Sequence, residues 1–588
     1  MSIKADNLTI PGRLRMLSAE RGEQTAIQAL PDGGRLTFRA WDQRSDDAAR
    51  GLAAIGVRPG DRVLLPVTTD WLSLAVAYAA IHKSGGTAVP VLASYGEEHV
   101  RWAQASAAAG GVVSDQPIAG CAGWARSLAE LESGAKAPLN VTVSAHDEAQ
   151  IIFTSGTTGR PKGVAATHEN ILQSICSRPA GPAKVGLHSV PAATNAGQGL
   201  LVQPLGNTPH TLLVLPEFRA EEFLDAIEKH RPTDIVLVPT MALALLRAQD
   251  AAQRDLSSVR MVRTMSAPIS PASLERIDAM FPNAATVNMY ASTESWPARV
   301  RARFDRTRPA SVGKPEGGTR VRIVDASGAE VPTGVTGEVQ LKADGVTPRR
   351  YIDAAASAEV FLADGWVRTG DVGYLDADGF LYLSDRVGDV VISGGFNIST
   401  LEVAAVLEGH PQVTEAAAFG MPHEVLGQYV AAAVQGVPDL DVASLYEYAR
   451  ERLGPVKAPR RIAVAARLPR TRAGKVDKHS LPALIRALAV DGGGHAGGGA
   501  DERVARIWEA VLQQPVTPAS DFLELGGTSL EAAEITVRVR RELGRAAREE
   551  DVYRAGTLAE YAQLMLTARP LDDEAGDAPI KRLPRRTG

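Results

Sequence analysis

The sequence predicts a large α/β domain, then a small α+β domain, and finally an all-α domain of the four-helix type. In the long N-terminal part, short β-branched runs such as Ile235 to Val238 alternate with stretches of helical period such as Glu221 to Glu228. This alternation is typical of βαβ units and a parallel sheet. A glycine-dense segment from Asp491 to Ala500 then precedes a short region with helical apolar spacing. With a length of 588 residues, these observations predict several domains.

The boundary between the first two domains is predicted near Asp385, between the strand-like runs Phe380 to Leu383 and Val390 to Ile392. Glycine at the density of the later segment behaves as flexible coil, so that segment is interpreted as a tether. The predicted N-terminal domain, small domain and linker are 1–385, 386–489 and 490–500.

The C-terminal domain is predicted to span 501–568. Helical spacing predicts a helix from Glu502 to Leu512, another that begins at Ser529, and a short one from Leu558 to Leu566. The remaining residues, 569–588, are charged and poor in apolar side chains, so we expect them to be disordered.

Composition excludes several classes of protein. The net charge of −5 gives no support to binding of nucleic acid or an anionic membrane. No apolar run approaches the roughly 18 residues of a membrane span, and the N-terminus has no apolar signal core, so a soluble cytoplasmic protein is expected. The two cysteines, Cys121 and Cys176, are too few for a disulfide framework or a zinc site.

The most informative segment is a loop that follows the apolar run Ile151 to Phe153. It contains three glycines, four hydroxyls and a lysine: Gly156, Gly159, Gly163, Thr154, Ser155, Thr157, Thr158 and Lys162. Glycines allow amide groups to converge on an anion, and the hydroxyls and the lysine add donors and charge. Pro161 stands where the Walker pattern requires its second glycine. The loop therefore predicts a phosphate site of another nucleotide chemistry.

Five further motifs follow in fixed order. They are Ser266-Ala267-Pro268-Ile269-Ser270, Asn288-Met289-Tyr290-Ala291-Ser292-Thr293-Glu294, Arg368-Thr369-Gly370-Asp371, Asp385-Arg386-Val387-Gly388-Asp389 and Pro469-Arg470-Thr471-Arg472-Ala473-Gly474-Lys475-Val476-Asp477-Lys478. Together with the loop, these motifs resemble those of the adenylate-forming enzymes, which include acyl-CoA synthetases, luciferases and the adenylation domains of nonribosomal peptide synthetases. The resemblance covers the first two predicted domains.

The resemblance implies ATP and Mg²⁺ as the nucleotide and the metal. It places Glu294 as the Mg²⁺ ligand, and a carboxylate oxygen suits such a hard cation. It places Tyr290 against adenine, Asp371 at the ribose hydroxyls and Arg386 against the nucleotide from the hinge. The implied ATP-binding set is Thr154, Ser155, Gly156, Thr157, Thr158, Gly159, Ser266, Ala267, Pro268, Asn288, Met289, Tyr290, Ala291, Ser292, Thr293, Asp371 and Arg386.

Two lysines are expected to be catalytic, Lys162 of the loop and Lys475. In the resembling enzymes, a lysine at the position of Lys475 lies between the carboxylate and the α-phosphate, and a compact ammonium suits a pentavalent phosphate. An ordinary basic loop is the alternative, because Arg470, Arg472 and Lys478 surround it. Gly388 is the expected hinge for a rotation of the small domain that presents Gly394 and Gly395 to a thiol tunnel.

A second resemblance concerns the segment Asp521 to Leu530, which is similar to the phosphopantetheine attachment site of carrier domains. It implies 4′-phosphopantetheine on Ser529, added by a phosphopantetheinyl transferase. By itself, Ser529 fits a helix N-cap equally well. Thr528 replaces the His or Asp common before this serine, so the carrier subtype stays open.

The acid is expected to contact Thr194 and Asn195. In amino-acid-activating relatives, an Asp at the position of Asn195 pairs with the substrate ammonium, and a neutral amide cannot do so. The same position in aryl-acid relatives is Asn, so an aryl or other non-α-amino acid is favoured. An Asp introduced there is expected to lack a cationic partner.

The expected function is ATP-dependent activation of an acid as its acyl-AMP and transfer to the thiol on Ser529, as a loading didomain in natural-product biosynthesis. A downstream acceptor enzyme or condensation domain is the expected partner. The alternatives are an amino-acid-activating peptide synthetase module, an acyl-CoA or fatty-acyl ligase and, last, an inactive scaffold.

Overall fold

The computed structural model describes residues 8–116, 118–154, 161–177, 179–248, 253–386, 389–393, 396–423, 427–437, 440–471, 475–491, 502–512, 515–522, 525, 527 and 529–570. Contacts divide the chain into two units. The first comprises Met1–Val387 and Arg470–Val476, and the second comprises Gly388–Pro469 and Asp477–Gly588.

The helices, numbered in chain order, are α1 Ile10–Arg21, α2 Phe38–Ala54, α3 Trp71–Lys83, α4 Glu97–Ala107, α5 Leu128–Ser133, α6 His168–Cys176, α7 Asn195–Leu201, α8 Ala220–His230, α9 Pro239–Leu245, α10 Pro271–Met280, α11 Ala354–Val360, α12 Thr400–Glu408, α13 Val442–Lys457, α14 Leu481–Asp491, α15 Glu502–Leu512, α16 Ser529–Leu543, α17 Glu549–Arg554 and α18 Leu558–Thr567. Among the described residues, none of these helices is long and apolar enough to cross a membrane.

The strands of the first unit are β1 Thr25–Ala29, β2 Arg35–Thr37, β3 Arg62–Val67, β4 Thr87–Leu92, β5 Gly111–Val113, β6 Trp124–Arg126, β7 Glu148–Thr154, β8 Lys162–Thr167, β9 Lys184–His188, β10 His210–Val214, β11 Asp234–Leu237, β12 Met261–Thr264, β13 Ala285–Tyr290, β14 Arg299–Arg303, β15 Ser311–Glu316, β16 Thr319–Val324, β17 Gly337–Ala343, β18 Arg350–Tyr351, β19 Val367–Leu375 and β20 Leu381–Arg386. Those of the second unit are β21 Val391–Ser393, β22 Phe396–Ile398, β23 Val413–His423, β24 Gly427–Gly436 and β25 Arg461–Val464.

The first unit contains a 13-stranded sheet in the order β16-β17-β19-β20-β15-β14-β13-β12-β11-β9-β10-β1-β2 and a 7-stranded sheet in the order β18-β8-β7-β4-β3-β5-β6, counted over the described residues. The run β1-β10-β9-β11-β12-β13 is parallel, which confirms the predicted βαβ pattern. Helix α8 buries Phe223 and Ile227 in the same core as Ile235 and Leu237 of β11. Burial of this apolar stripe, rather than helix propensity, is what fixes α8 on the sheet.

The large sheet brings the predicted nucleotide residues together. β12 and β13 are parallel neighbours, so their carboxyl ends, near Ser266 and Tyr290, lie at the same edge of the sheet. β19 and β20 are antiparallel neighbours, and their register sets Asp371 directly opposite Arg386. Sheet topology, not proximity in sequence, therefore assembles the site.

The second unit contains a 5-stranded sheet, β22-β21-β24-β23 with β25 paired to β24, among the described residues. Helices α12 and α13 cover it with an apolar core that includes Val403, Leu407 and Leu445. This is the small α+β domain that the sequence predicts.

The C-terminal helices share a separate core built around Trp508, Phe522, Ile535 and Tyr561. Helix α15 has the predicted bounds, α16 begins at the predicted Ser529, and α18 ends one residue beyond the predicted Leu566. The short helix α17 was not predicted. The predicted linker falls at residues that are almost all outside the described ranges, and residues 571–588 of the predicted tail do so as well.

Candidate active site

The candidate phosphate loop connects two antiparallel strands. β7 ends at Thr154 and β8 begins at Lys162, and these two residues are paired across the ladder. A Walker loop instead leads from a strand into a helix, so this connection agrees with the absence of the Walker pattern. The loop residues Ser155, Gly156, Thr157, Thr158 and Gly159 lie outside the described part of the chain.

Glu294 is oriented by two hydroxyls beside this loop. Thr154 Oγ1 donates a hydrogen bond to Glu294 Oε1 over 3.2 Å, and the Tyr351 hydroxyl donates to the same oxygen over 3.0 Å. Lys162 Nζ lies 5.2 Å from the centroid of the Tyr351 ring, within the range of a cation–π contact. Burial and the Glu294 charge raise the pKa of Tyr351, so its phenol remains a hydrogen-bond donor. The carboxylate is thus held by neutral donors that leave its charge in place.

This arrangement fits a magnesium ion that arrives with a nucleotide. Mg²⁺ keeps several waters and takes one or two carboxylates together with substrate phosphates. Within the described ranges, no group of three or more His, Cys, Asp or Glu side chains could hold a metal ion. The single oriented carboxylate of Glu294 is a ligand of the right chemistry for such a shared ion.

Tyr290, Asp371 and Arg386 form one hydrogen-bonded group at the end of the large sheet. The Tyr290 hydroxyl donates to Asp371 Oδ2 over 2.6 Å, and Arg386 Nε donates to Asp371 Oδ1 over 3.0 Å. Burial, reinforced by the Asp371 charge, raises the pKa of Tyr290. Both carboxylate oxygens of Asp371 therefore have a protein partner, and each retains further acceptor capacity for a ribose hydroxyl.

The segment predicted to face adenine has a strained backbone. Ser266 has a φ of +77°, a left-handed conformation that is uncommon for a residue with a side chain. Strain of this kind persists where the surroundings fix the conformation, and it concentrates at ligand sites. Asn288, two residues before Tyr290, accepts a hydrogen bond from Thr264 Oγ1 over 3.1 Å, which ties β13 to β12. Neither observation tests the stacking of Tyr290 on adenine, which stays a prediction.

Lys475 belongs to the first unit together with the rest of this group, because residues Arg470–Val476 cluster with it. The Thr471 amide donates to the Lys475 carbonyl over 2.7 Å. The residue keeps contact with solvent, but protein atoms around the ammonium lower its pKa, and the Arg386 charge adds to this effect. The carboxylates of Asp371 and Glu294 act in the opposite direction. Lys475 therefore lies within the electrostatic reach of the predicted nucleotide ligands.

Asn195 is the first residue of α7, and Thr194 caps that helix. The Thr194 hydroxyl accepts from the Gly197 amide over 3.0 Å and donates to the Pro191 carbonyl over 2.8 Å. Its hydroxyl is thus used to fix the helix start, which is a structural role beside the predicted contact with the acid.

Sequence reasoning missed Arg349. Its Nη1 donates to Asn195 Oδ1 over 2.7 Å and to the Thr293 carbonyl over 2.9 Å. The expectation that a carboxylate at position 195 would lack a cationic partner is therefore wrong. The available signal was the strand period of Arg349-Arg350-Tyr351, which sends alternate side chains to opposite faces. Sequence reasoning also missed Tyr351, which belongs to the same short segment.

The remaining predicted positions are those of the hinge, the thiol tunnel and the carrier serine. Gly388, Gly394 and Gly395 lie outside the described residues, so the hinge and the thiol tunnel stay predictions. Ser529 is the first residue of α16, a helix of 15 residues. A helix N-terminus favours an attached phosphodiester.

The motif before Ser529 has a packing role as well. A Cβ built on Gly527 would lie 2.4 Å from the ring of Phe522, which is buried in the C-terminal core. Only glycine allows the chain to pass so close to this ring. Packing therefore explains Gly527, whereas the role of Ser529 as the attachment residue stays a prediction.

Comparison with known proteins shows which family the chain belongs to. A family model described as AMP-binding enzyme matches residues 15–351, its C-terminal domain matches 402–475, and a phosphopantetheine attachment site matches 502–565. The fold and the site thus define an adenylate-forming ligase with a carrier domain. The chain belongs to the family of AMP-binding enzymes.

Three relatives illustrate the range of the family. A 3-[(3aS,4S,7aS)-7a-methyl-1,5-dioxo-octahydro-1H-inden-4-yl]propanoyl:CoA ligase of Mycobacterium tuberculosis is 32% identical, over 82% of this chain and 99% of its own. A 4-coumarate–CoA ligase-like protein of Oryza sativa is 28% identical, over 80% of this chain and 85% of its own. The structure of the amide bond synthetase McbA from Marinactinospora thermotolerans matches with a TM-score of 0.71 at 27% identity, over 80% of this chain and 98% of its own.

ATP, Mg²⁺ and 4′-phosphopantetheine are the groups that these domains use, and the enzyme is an AMP-forming acid–thiol ligase. A carboxylic acid and a phosphopantetheinyl transferase are the partners that the domains imply.

Proposed function

We propose that this protein activates a carboxylic acid without an α-ammonium group, with aryl acids favoured, and loads it onto phosphopantetheine at its own Ser529. In this proposal the protein is a cytoplasmic loading didomain of natural-product biosynthesis, and a downstream acceptor enzyme or condensation domain takes the acyl group. Both Cys121 and Cys176 are free, which suits a reducing compartment.

The observation that supports the exclusion of amino acids is the contact between Arg349 and Asn195. The guanidinium donates to the amide oxygen over 2.7 Å, so the position that binds an ammonium in amino-acid-activating relatives lies against a fixed cation. A substrate ammonium there would be repelled in surroundings that screen charge poorly. This argues against the amino-acid-activating alternative.

The residues of the first unit account for the first half-reaction. Acid carboxylate and α-phosphate are both anionic, so their approach requires positive charge that is already in place. Arg386 is fixed by Asp371, and Lys475 lies in reach of both. Mg²⁺, when bound with the nucleotide, neutralises phosphate charge and draws electron density from the bond that breaks. Glu294 is oriented to ligate it by Thr154 and Tyr351.

The acceptor in the second half-reaction is proposed to be the carrier thiol of the same chain. Relatives named as CoA ligases make free CoA the rival acceptor. A carrier domain in the same chain favours the internal thiol, because a thiol joined to the enzyme by a short connection has an effective concentration in the millimolar range. An inactive scaffold is disfavoured, since Lys162, Glu294, Asp371, Arg386 and Lys475 are all present.

Mass spectrometry of the intact protein tests the proposal. The holo protein, prepared with a phosphopantetheinyl transferase, is incubated with ATP and a mixed pool of acids. We expect one acyl mass increment on the peptide that contains Ser529, and none in Ser529→Ala, whose ATP–pyrophosphate exchange stays near the wild-type rate. Faster acylation of added CoA than of the carrier would instead identify a CoA ligase. Strong exchange with a proteinogenic amino acid would contradict the substrate assignment.

A further inference from the structure

Arg349 is buried without a carboxylate partner in the described part of the chain. The residue is 3% exposed, and its hydrogen bonds go from Nη1 to two neutral oxygens, Asn195 Oδ1 and the Thr293 carbonyl. Its Nε is buried and finds no acceptor among the described residues. A buried guanidinium with unused donors is costly unless a partner arrives.

The nearby carboxylate does not serve as that partner. Glu294 influences Arg349 through space, but Glu294 Oε1 accepts its hydrogen bonds from Thr154 and Tyr351. When Glu294 ligates a metal ion, its negative charge is engaged there. Arg349 then needs an anion from another source, and its contact with Asn195, which is predicted to face the acid, makes the bound acid the candidate.

The Asn195 amide is oriented so that it can add a hydrogen-bond donor beside Arg349. A guanidinium has donors and no acceptors, so the oxygen of the Asn195 amide must face Arg349, which fixes the amide orientation. The Nδ2 group is therefore turned away from Arg349 as a further donor. Arg349 and Asn195 together present hydrogen-bond donors, which suits an anionic oxygen and not an ammonium.

This cation is separate from the cation assigned to the reacting carboxylate. The charges that act on Lys475 are those of Arg386, Asp371 and Glu294, whereas the carboxylate charge that acts on Arg349 is that of Glu294. Glu294 is the carboxylate that acts on both Lys475 and Arg349. An acid bound between them would place one carboxylate near Lys475 and a second group near Arg349.

We propose that the acid carries a second carboxylate, remote from the one that is activated, which Arg349 binds with the help of the Asn195 amide. The substrate class is thus a dicarboxylic acid, aryl or aliphatic. This assignment rests on the proposed function, because it names the acid that the same site activates.

The test compares each diacid with its own half-amide, which has nearly the same shape and lacks the second charge. Malonate, succinate, glutarate, adipate and the three benzenedicarboxylates are assayed with their half-amides by ATP–pyrophosphate exchange with the holo protein. At least one diacid is expected to exceed its half-amide by about tenfold or more in kcat/KM, as for loss of one partner from a buried charge pair. Half-amides that equal or exceed their diacids throughout the series would overturn the proposal.

Three variants assign the preference to Arg349. Arg349→Met should abolish it, and Arg349→Lys should retain part of it, because lysine keeps the charge but not the planar fork. Asn195→Asp should fold as well as wild type and also lose the preference, since the new carboxylate pairs with Arg349 internally. The matched control is Arg350→Met, because neighbouring Arg350 is exposed and pairs with Glu148 over 2.6 Å. A preference that survives in both Arg349→Met and Asn195→Asp contradicts the proposal.

Diacid binding without ATP separates this inference from the proposed function. Calorimetry of the preferred diacid should show binding to wild type that weakens at least about tenfold in Asn195→Asp. ATP–pyrophosphate exchange that occurs with monocarboxylic acids and with none of the diacids would refute the diacid inference and leave the proposed function. Binding that depends on Arg349, without exchange for any acid, would remove the proposed function and leave the recognition site.

Discussion

Arg386 lies directly opposite Asp371 on the neighbouring strand, and its Nε donates to Asp371 Oδ1 over 3.0 Å. Because the strand register sets this pair, the arginine that is predicted to contact the nucleotide is held against Asp371. The Tyr290 hydroxyl completes the arrangement on the other oxygen of Asp371. One short carboxylate therefore fixes both a cation and an aromatic ring.

Asp371→Asn is expected to raise the KM for ATP about 10- to 100-fold, because hydrogen bonds to a charged group contribute about 1.5–3 kcal/mol. Exchange kinetics at varied ATP measure this. Arg368→Ala is the matched control, since Arg368 lies on the same strand and pairs with Glu338 at the surface over 2.9 Å. Its effect on the KM for ATP should stay within about twofold. Equal effects of both variants would contradict a specific role for Asp371.

Lys475→Ala is expected to reduce adenylation about 10²- to 10³-fold, as for loss of one preorganised donor at a developing charge. Transfer from preformed acyl-AMP to the carrier should be largely retained, because the lysine is proposed to act in the first half-reaction. Lys478→Ala is the control, because Lys478 is another lysine of the same basic segment. Lys478 pairs with Asp389 over 3.0 Å and donates to Thr400 Oγ1 over 3.1 Å, so its loss should lower the stability of the second unit. Equal losses in the two half-reactions of Lys475→Ala would refute the division of roles.

Low pH is expected to destabilise the first unit, because this unit contains buried histidines. Burial lowers the pKa of His82 to about 4 and the pKa values of His188 and His210 to about 3. Unfolded histidine titrates near 6.5, so below that pH the unfolded chain binds more protons than the native one. The free energy of unfolding should therefore fall as the pH decreases from about 6.5 to 4, by up to about 1.4 kcal/mol per unit for each histidine.

Denaturant unfolding between pH 7.5 and 5, followed by tryptophan fluorescence, measures this dependence. Trp71 is a suitable reporter, since its ring centroid lies 4.8 Å from that of His188. His210→Gln should reduce the slope, whereas His146→Gln should not, because the His146 side chain is 70% exposed. A wild-type slope that is unchanged in His210→Gln would show that other groups cause the acid sensitivity.

Gly527→Ala is expected to destabilise the carrier domain by about 1–3 kcal/mol, because the new methyl group would overlap the Phe522 ring in a packed core. Hydrogen exchange of α15 and α18 in the full chain should increase. Adenylation should be unaffected, and acyl loading should decrease. Gly544→Ala is a useful comparison: Gly544 has open space around it but a φ of +61°, so its cost is backbone strain alone. Unchanged exchange in Gly527→Ala would refute the packing explanation of this glycine.

Periodicity in the sequence predicted the elements that are long and strongly patterned. The helix Glu502–Leu512 and the start of α16 at Ser529 are confirmed, and the strand-like run at Ile235 is β11. Helix α17 was missed because Glu549–Arg554 is short, and four of its six residues are charged. A segment of that kind has little apolar period, and its tertiary contacts with α16 decide its structure.

Site residues that belong to a sequence motif could be predicted. Residues that reach the site only through the pairing of strands could not. The motifs predict roles for Glu294, Asp371 and Arg386, and the structure brings the latter two into contact. The partners of Asn195 and Glu294 were not identified, because Arg349 and Tyr351 lie far from them in sequence and reach them through the pairing of β18 with β8. Contacts across such separations depend on register, which one sequence does not state.

Three consecutive residues at β18 each contact a different side chain. Arg349 donates a hydrogen bond to Asn195, and Arg350 forms an ion pair with Glu148. Tyr351 donates a hydrogen bond to Glu294. Because the strand period alternates faces, a single insertion just before β18 would exchange these assignments at once. The proposed contact with the acid and the orientation of the predicted metal ligand Glu294 therefore both depend on the register of one edge strand. New acid specificities in this lineage are expected to arise by substitution at position 349 or 195, and not by changes in the length of the preceding loop.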